Sequence, residues 1–312
     1  MLDTRRFVQG TDEPVWLGVL NAHHRDDEYW RAITLDEFLL EQERPGFDFE
    51  GRFIAELEGR PAGIVHAYVD RFRTDGQGYV RFGAVPELRD RGVERQLIET
   101  ALGELKARGM TTAQAWTESS REENTRLFEE FGFERVRVFS LMGMELADMR
   151  QGVGENKEVT IRPVRLDAEE DIRLFDWLDN EAFKEHFNYR PNALEETRYY
   201  LLNNPVLRQR GFFFAVLNDE AVGYVGVGVD EEYNLQRNTK IGEVTVIGVL
   251  KPYRTAGVGT GLMLHALEEI RKKGMTGAIL GVDDYNPTKA MGLYEKVGFE
   301  VKKKDLIFQR SL

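Results

Sequence analysis

Three glycines, Gly257, Gly259 and Gly261, stand in the segment YRTAGVGTGLM, directly before apolar residues at helical spacing. Glycine in a helix costs about 1 kcal/mol relative to alanine, so three at one helix start predict that a ligand approaches the backbone there. The first N–H groups of a helix lack intrahelical acceptors, and the helix dipole adds partial positive charge. The segment therefore predicts a site for a phosphate or pyrophosphate, the alternative being glycines that serve packing alone.

The spacing of the glycines distinguishes between phosphate-binding motifs. The pattern is GxGxG and no GK[ST] follows, so the dinucleotide fingerprint and the nucleoside-triphosphate loop both fit poorly. Arg254, Gly257 and Gly259 instead give R-x-x-G-x-G after a strand and before a helix. That pattern resembles the cofactor loop of the GNAT superfamily of N-acetyltransferases, which implies acetyl-CoA as the acyl donor. The resemblance places the cofactor contacts at Ile247, Gly248, Val249, Arg254, Thr255, Ala256, Gly257, Val258, Gly259, Thr260 and Asn286.

Two side chains receive catalytic roles from the same resemblance. Glu243, on the strand before the glycine segment, is placed as the general base for an ammonium whose pKa begins near ~10. Tyr294, in LYEKVGF, is placed as the donor of a proton to the leaving thiolate, and a phenol near pKa ~10 is close to a thiol near ~8.5. The backbone amides of residues 247–249 would stabilise the charge that develops on the thioester oxygen. The alternatives are a solvated strand carboxylate and a core tyrosine.

The elements that hold these residues occur twice along the chain. TRRFVQGTDEP at Thr4 matches TIRPVRLDAEE at Thr160, and both copies continue with a hairpin, a further strand, a glycine-bearing turn and a helix. They end on LFEEFGFERV and LYEKVGFEVK. Gly92 and Gly257 are 165 positions apart and Phe133 and Phe299 are 166 apart, so the register predicts an internal duplication.

The duplication predicts the fold class and the domains. Residues 147–159 (ADMRQGVGENKEV) are polar and contain glycine, which indicates a linker and a boundary near residue 152. We expect domains at 1–150 and 157–312. The tandem arrangement, with GEVTVIGV, EAFKEHFNYRP and LYEKVGF in the second copy, resembles mycothiol synthase and its relatives. The resemblance implies an α/β chain of two tandem GNAT domains, each a mixed, mostly antiparallel sheet flanked by helices (α+β in character).

The first copy lacks the chemistry of the second. In the sequence register it has Gly78, Glu94 and Phe128 at the positions of Glu243, Gly259 and Tyr294. The base and the proton donor are therefore missing, and a carboxylate lies where a pyrophosphate would bind. We expect the first domain to be catalytically silent, while the retained Arg89 and Gly92 leave a residual cofactor site open.

Composition excludes several function classes. A chain of 312 residues, 42% hydrophobic and 31% charged, is expected to form about two globular domains. It contains no cysteine, and its five histidines show no HExxH-like spacing, so we expect no thiolate chemistry and no metal site. The net charge of -12 argues against nucleic acid as a partner. No apolar run is long enough to span a membrane or to form a signal peptide, so we expect a cytoplasmic protein, as a monomer or a homodimer.

Two further segments are candidates for contact with the acceptor. His186 and Tyr189, and Glu231 with Glu232, occupy segments that resemble the substrate-facing loops of the superfamily, although they are also typical of a core helix and of a solvated surface. Asn286, eight positions before Tyr294 and one more than is common in the family, is expected to cap the last helix and also to contact the cofactor, the alternative being a plain N-cap before Pro287. We expect acetyl transfer to a primary amine of a small molecule. The alternatives are a protein N-terminal or lysine acetyltransferase and a non-catalytic acyl-CoA-binding module.

Overall fold

The computed structural model describes residues 1–89, 91–150, 154, 156–203 and 208–312. The predicted boundary near residue 152 lies outside these residues. Their contacts divide the chain into two compact units. The first unit is Met1–Arg137 with Asp305–Leu312, and the second unit is Val138–Lys304.

The order of elements confirms the duplication. The first repeat contains β1 (Leu2–Arg6), α1 (Glu13–His23), α2 (Leu35–Glu41), β2 (Arg52–Leu57), β3 (Arg60–Val69), β4 (Gln77–Ala84), α3 (Val93–Ala107), β5 (Thr112–Glu118), α4 (Glu122–Glu130) and β6 (Glu134–Glu145). The second repeats this order with one added helix, α7: β7 (Thr160–Pro163), α5 (Glu169–Phe183), α6 (Leu194–Asn203), β8 (Arg208–Leu217), β9 (Glu220–Val229), α7 (Glu231–Arg237), β10 (Ile241–Val249), α8 (Val258–Lys272), β11 (Gly277–Asp283), α9 (Ala290–Val297) and β12 (Glu300–Ser311).

Each unit contains a mixed sheet. In the first unit the strand order is β1-β2-β3-β4-β5-β12, and in the second it is β7-β8-β9-β10-β11-β6. Within the described residues, β4 pairs with β5 and β10 with β11 in parallel, and the other pairs inside each unit are antiparallel. The predicted fold class is therefore confirmed.

The compact units differ from the predicted domains 1–150 and 157–312 in their last strands. Residues 139–145 of β6 pair with β11, so the last strand of the first repeat belongs to the second unit. Residues 305–311 of β12 pair with β5 in the first unit. The backbone of β6 and that of β12 can make the same hydrogen bonds to a neighbouring strand. The two repeats therefore exchange their last strands, and the architecture of each unit is unchanged.

Helix α8 of the second unit shows how the sequence positions the glycine segment. Apart from Thr260, its buried face consists of apolar residues at helical spacing, Val258, Leu262, Met263, Ala266, Leu267 and Ile270. Gly257, at the N-cap, has φ 79° and Gly274, after the last turn, has φ 80°. Because this conformation is costly for residues with a Cβ, the two glycines fix where the helix begins and ends. Among the described residues, none of the helices is long and apolar enough to cross a membrane.

Candidate active site

The second unit contains a cavity where two parallel strands separate. Residues 241–243 of β10 pair with 277–279 of β11, and the ladder ends there although both strands continue. A cavity of about 910 Å³ lies beyond this point, between residues 244–249 and 280–283. A β-bulge between Val244 and Val246 shifts the pairing of β10 with β9 by one residue at the same place. Bulges bend strands and are frequent next to active sites, so the separation is built into the backbone.

Backbone donors of β10 face this cavity. The N–H of Leu250 donates to Val222 O in β9 at 2.9 Å. Successive residues of a strand direct their backbone groups to opposite sides, so the N–H groups of Ile247 and Val249 point away from β9, toward the cavity. This edge of β10 has no strand partner beyond residue 243 in the described ladder. Its amides can therefore bind a carbonyl oxygen of a ligand.

The glycine segment closes one end of the cavity. Gly257 and Gly259 line it, and the first N–H groups of α8 begin there. A Cβ built on Gly259 would lie 3.4 Å from Leu293 Cδ2, so the protein itself leaves space at this position. Thr255 has φ 65°, which is unfavourable for a β-branched residue. This strain lies within the segment for which an anion site was predicted.

Arg254 connects two elements at the edge of the cavity. Its Nε donates to Val249 O at 3.0 Å and its Nη2 donates to Ala182 O at 2.7 Å, while Nη1 lies 3.2 Å from a carboxylate oxygen of Glu185. The guanidinium thus joins the end of α5 to the end of β10. Arg254 lines the cavity, and its bonds position the cavity wall.

Glu243 has the electrostatics of a general base. It lies half-buried at the last ladder pair of β10, directly before the cavity residues. Burial raises the pKa of Glu243 to about 7, with a smaller contribution from the nearby carboxylate of Asp230. A carboxylate with a pKa near neutrality can accept a proton from an attacking ammonium and release it to water.

Tyr294 lies both in the core and in the cavity wall. Its ring is buried, packs edge-on against Phe299 with 6.2 Å between centroids, and lines the cavity. Burial raises the pKa of Tyr294 to about 12. This pKa is further from that of a thiol near ~8.5 than the ordinary pKa of a phenol is, so complete transfer of the proton is less favourable than the sequence indicates, and the catalytic role of Tyr294 stays a prediction. The hydroxyl is better suited to donate a hydrogen bond to a thiolate than to transfer its proton completely.

Comparison with known proteins identifies the family. A sequence profile of the acetyltransferase (GNAT) family matches residues 16–133 and 172–299, more than half of the chain. The chain belongs to the GNAT family. As a member of it, the protein is an acyltransferase, and the resemblance that the glycine segment indicated is confirmed.

Individual relatives agree with the tandem GNAT arrangement. A mycothiol acetyltransferase of Thermobifida fusca (strain YX) is 26% identical over 300 residues, 89% of each chain. One of Thermobispora bispora is 34% identical over 139 residues, 43% of this chain and 47% of the relative. A tandem GNAT protein from the clavulanic acid biosynthesis pathway has a TM-score of 0.75 at 14% identity, covering 100% of this chain and 98% of that structure. A GCN5-related N-acetyltransferase of Sphaerobacter thermophilus has a TM-score of 0.73 at 20% identity, covering 99% and 95%. At these identities the solved structures support the GNAT fold alone.

Most of the predicted site residues of this GNAT protein meet in the cavity. Those lining it are His186, Ile247, Gly248, Val249, Arg254, Thr255, Gly257, Gly259, Thr260, Asn286 and Tyr294. Those outside its lining are Tyr189, Glu231, Glu232, Glu243, Ala256 and Val258. Apart from Glu243 on β10, the residues outside the lining lie in different environments. Val258 is in the core, Ala256, Glu231 and Glu232 are exposed, and Tyr189 is half-buried.

Asn286 does not cap the last helix. The N-cap of α9 is Lys289, and Asn286 Oδ1 accepts hydrogen bonds from the N–H and the hydroxyl of Thr288 at 2.8 and 2.7 Å. The expected capping role is therefore wrong, because the side chain closes a turn before the helix begins. Asn286 nevertheless lines the cavity, which keeps the predicted contact with the cofactor open as a prediction.

Several cavity residues were not predicted from the sequence. Asp283 is buried, lines the cavity and accepts a hydrogen bond from the N–H of Tyr285 at 2.9 Å. Ala182 at the end of α5 and two lysines of the α9 segment, Lys289 and Lys296, also line it. Comparison of the two repeats position by position could have identified Ala182 and the two lysines, because each differs in chemistry from its counterpart, whereas Asp283 corresponds to another carboxylate, Glu118.

The GNAT register of the first unit needs one correction. A Cβ on Gly78 would lie 2.5 Å from Leu105 of α3, and a Cβ on Gly242 would lie 2.6 Å from Ile270 of α8. These glycines are therefore equivalent, and Glu243 corresponds to Tyr79, not to Gly78. The sequence register failed because the bulge adds a residue to β10, whereas the β3–β4 ladder is regular. The first unit still lacks a carboxylate at this position.

The first unit has a side chain where the second has space. Arg89 Nη2 donates to His23 O at 3.2 Å, as Arg254 Nη2 donates to Ala182 O. His23, the last residue of α1, therefore takes the place of Ala182. An imidazole thus occupies the position that in the second unit is a methyl group on the cavity wall.

The His23 ring covers the backbone edge that would bind a ligand. Its Nδ1 lies 3.0 Å from Ala84 N and 3.1 Å from Ala84 O, and Ala84 corresponds to Val249. Its Nε2 lies 3.0 Å from Arg121 Nη1. Burial, together with the charge of Arg121, lowers the pKa of His23 to about 3, which keeps the ring neutral and bound in this position.

Proposed function

We propose that the protein transfers an acetyl group from acetyl-CoA to a primary amine of a small molecule, with one active site, in the second unit. The observation that carries this proposal is the cavity between β10 and β11. It combines an unpaired strand edge, a glycine-bearing helix start and Tyr294 in one wall, and it begins directly after Glu243.

The cavity suits a donor with a pyrophosphate and an extended thioester arm. The first amides of α8 can bind the pyrophosphate, because Gly257 and Gly259 place no side chain between backbone and ligand. The N–H groups of Ile247 and Val249 are available to the arm and to the thioester oxygen. A volume of about 910 Å³ is sufficient for the arm and a small acceptor.

The reaction follows from the positions of the two titratable groups. Glu243 takes a proton from the ammonium, directly or through water, and the amine attacks the thioester carbon. The C–N bond forms as the C–S bond breaks, and the amides of β10 stabilise the negative charge on the oxygen in the transition state. Tyr294 donates a hydrogen bond to the departing sulfur, and the second amine proton leaves to water.

The acceptor side of the cavity favours a cationic small molecule. Asp283 lines it and Glu243 borders it, and the two carboxylates attract an ammonium without any cysteine or metal chemistry. Among the described residues, no group of three His, Asp or Glu side chains is arranged to hold a metal ion. The mycothiol acetyltransferases to which the chain is similar support a small acceptor over a protein.

The first unit is proposed to remain silent because His23 occupies its cleft. The test is a calorimetric titration of acetyl-CoA into the full chain, followed by a thiol-release assay with a panel of amines. One bound acetyl-CoA per chain and thiol release with small amines would support the proposal. Two sites would refute the silence of the first unit, and release with peptide amines alone would favour a protein acetyltransferase. Binding without release for every amine would indicate a non-catalytic module.

A further inference from the structure

Two lysines share one face of the α9 segment. Lys289 is the N-cap and Lys296 follows seven residues later, which is two helical turns, so both side chains project from the same side. Both are exposed and both line the cavity. Among the residues that the structure describes, no carboxylate lies within ion-pair distance of either one. This face therefore carries two positive charges toward the cavity in a chain whose net charge is -12.

The lysine face lies beside the glycine-bearing start of α8. Leu293, between the two lysines on α9, has its Cδ2 atom 3.4 Å from the point where a Cβ on Gly259 would lie. A pyrophosphate bound to the first amides of α8 would consequently have α9 as its neighbour. The two lysines extend the positive potential of the helix start to one side, where further phosphate charge can be accommodated.

The first unit shows that the fold does not require lysine at these positions. Phe128 of α4 corresponds to Tyr294 of α9. The N–H of Phe133 donates to Phe128 O, and the N–H of Phe299 donates to Tyr294 O, both at 3.0 Å. In this register Glu123 and Glu130 replace Lys289 and Lys296. Both charges are reversed, and Glu94 also replaces Gly259. The silent copy is therefore acidic where the proposed active copy is basic or open.

We propose that Lys289 and Lys296 bind the 3′-phosphate of CoA and so distinguish CoA from acyl donors that lack this group. The inference rests on the proposed function, because it assumes that a CoA thioester occupies the cavity. CoA carries a pyrophosphate and a separate phosphomonoester, and the helix start accounts only for the first. Lysine ammonium groups are suited to the second as point charges for a dianion.

The test compares CoA with 3′-dephospho-CoA by calorimetry on the full chain. We expect the wild-type protein to bind CoA about ten-fold more tightly, a difference that shrinks at high salt. In the double variant Lys289→Gln with Lys296→Gln, the affinity for CoA should fall to that for dephospho-CoA, whose own affinity should not change. If the nucleotide holds the 3′-phosphate against the two lysines, free inorganic phosphate at millimolar concentration should compete poorly and weaken CoA binding less than ten-fold.

A matched control is available on the neighbouring helix. Lys272, at the far end of α8, is about 20 Å from its start and pairs with Glu269 at 2.7 Å. Lys272→Gln removes one positive charge, as each of the two substitutions in the double variant does, and should keep the preference for CoA. Equal affinity of the wild-type protein for both ligands, or a preference that survives in the double variant, would overturn the inference. Binding of neither ligand would overturn the proposed function as well, and thermal melting of each variant shows whether it is folded.

Discussion

Gly259→Glu separates the effect of the glycine on the ligand from its effect on the fold. Gly259 is the second residue of α8, and its position has space, because the closest contacts of an added Cβ are at 3.4 and 3.8 Å. Glutamate forms helix better than glycine by about 0.5–1 kcal/mol, and an acidic residue in the first turn adds about 0.3–1 kcal/mol. We expect the melting temperature to rise by about 2–8 °C, since about 2–4 °C accompany each kcal/mol in a unit of this size.

The same substitution should prevent binding of acetyl-CoA. The carboxylate would stand beside the first amides of α8, where the pyrophosphate is proposed to bind. Two like charges about 4 Å apart repel by about 1 kcal/mol in water and by about 4 kcal/mol at an effective dielectric constant of 20. The pyrophosphate carries about two charges, so we expect the dissociation constant to rise by a factor of about 10² or more.

Gly261→Glu is the matched control for this experiment. Gly261 lies in the same helix turn and outside the cavity lining, and an added Cβ would meet nothing within 4 Å. It introduces the same residue and the same charge, so it should raise stability and leave affinity unchanged. Calorimetric titration and thermal melting of both variants check the prediction. Wild-type affinity in Gly259→Glu, or an equal loss of affinity in both variants, would refute the assignment of the pyrophosphate to this helix start.

Three further predictions concern the remaining site residues. Glu243→Gln should lower kcat/KM by about 10² or more and abolish its rise with pH through about 7, measured with one amine across the pH range. The pKa of Glu243 in the folded state lies above its ordinary value of 4.5, so the folded state keeps a proton that the unfolded chain loses. The free energy of unfolding should therefore fall from about pH 4.5 to 7, and melting curves of the glutamine variant should lack this fall. Tyr294→Phe should retain acetyl-CoA affinity and slow turnover by about 10², so that unchanged turnover would exclude the tyrosine from the reaction. Thr255→Gly should raise stability by about 1 kcal/mol, since it relieves the strain at φ 65°, and a lower melting temperature would contradict this reasoning.

The sequence predicted the parts of the fold that depend on local signals. The glycines at the two ends of α8, Gly257 and Gly274, are such local signals, because positive φ is a property of single residues. The order of elements in both repeats was also predictable from periodicity. The exchange of β6 and β12 was not, because pairing within a repeat and pairing between repeats use the same strand pattern and differ only in which distant segment is the partner.

The parts of the candidate site that are formed by the backbone could be predicted from the sequence. The segment from Ile247 to Gly259 carries its own glycine and strand signals, and most of it lines the cavity. The bulge in β10 left no equally clear signal, so the register of the first copy was wrong by one residue at Tyr79. The pKa of Tyr294 also could not be read from the sequence, because it depends on burial against residues such as Phe299.

The proposed silence of the first copy has a structural basis that a search for catalytic groups cannot find. Aligning the two repeats shows whether the first copy has a base, a proton donor and a glycine at the expected positions. By this comparison Glu94, at the position of Gly259, is the main obstacle to cofactor binding. The structure adds His23, whose ring takes the place of the Ala182 methyl and makes contacts at the strand edge that a ligand would need. We therefore expect that restoring a base, a donor and a glycine would leave the cleft filled, because the His23 ring would still occupy it. A residue that removes space is recognisable only when the two copies are compared in three dimensions.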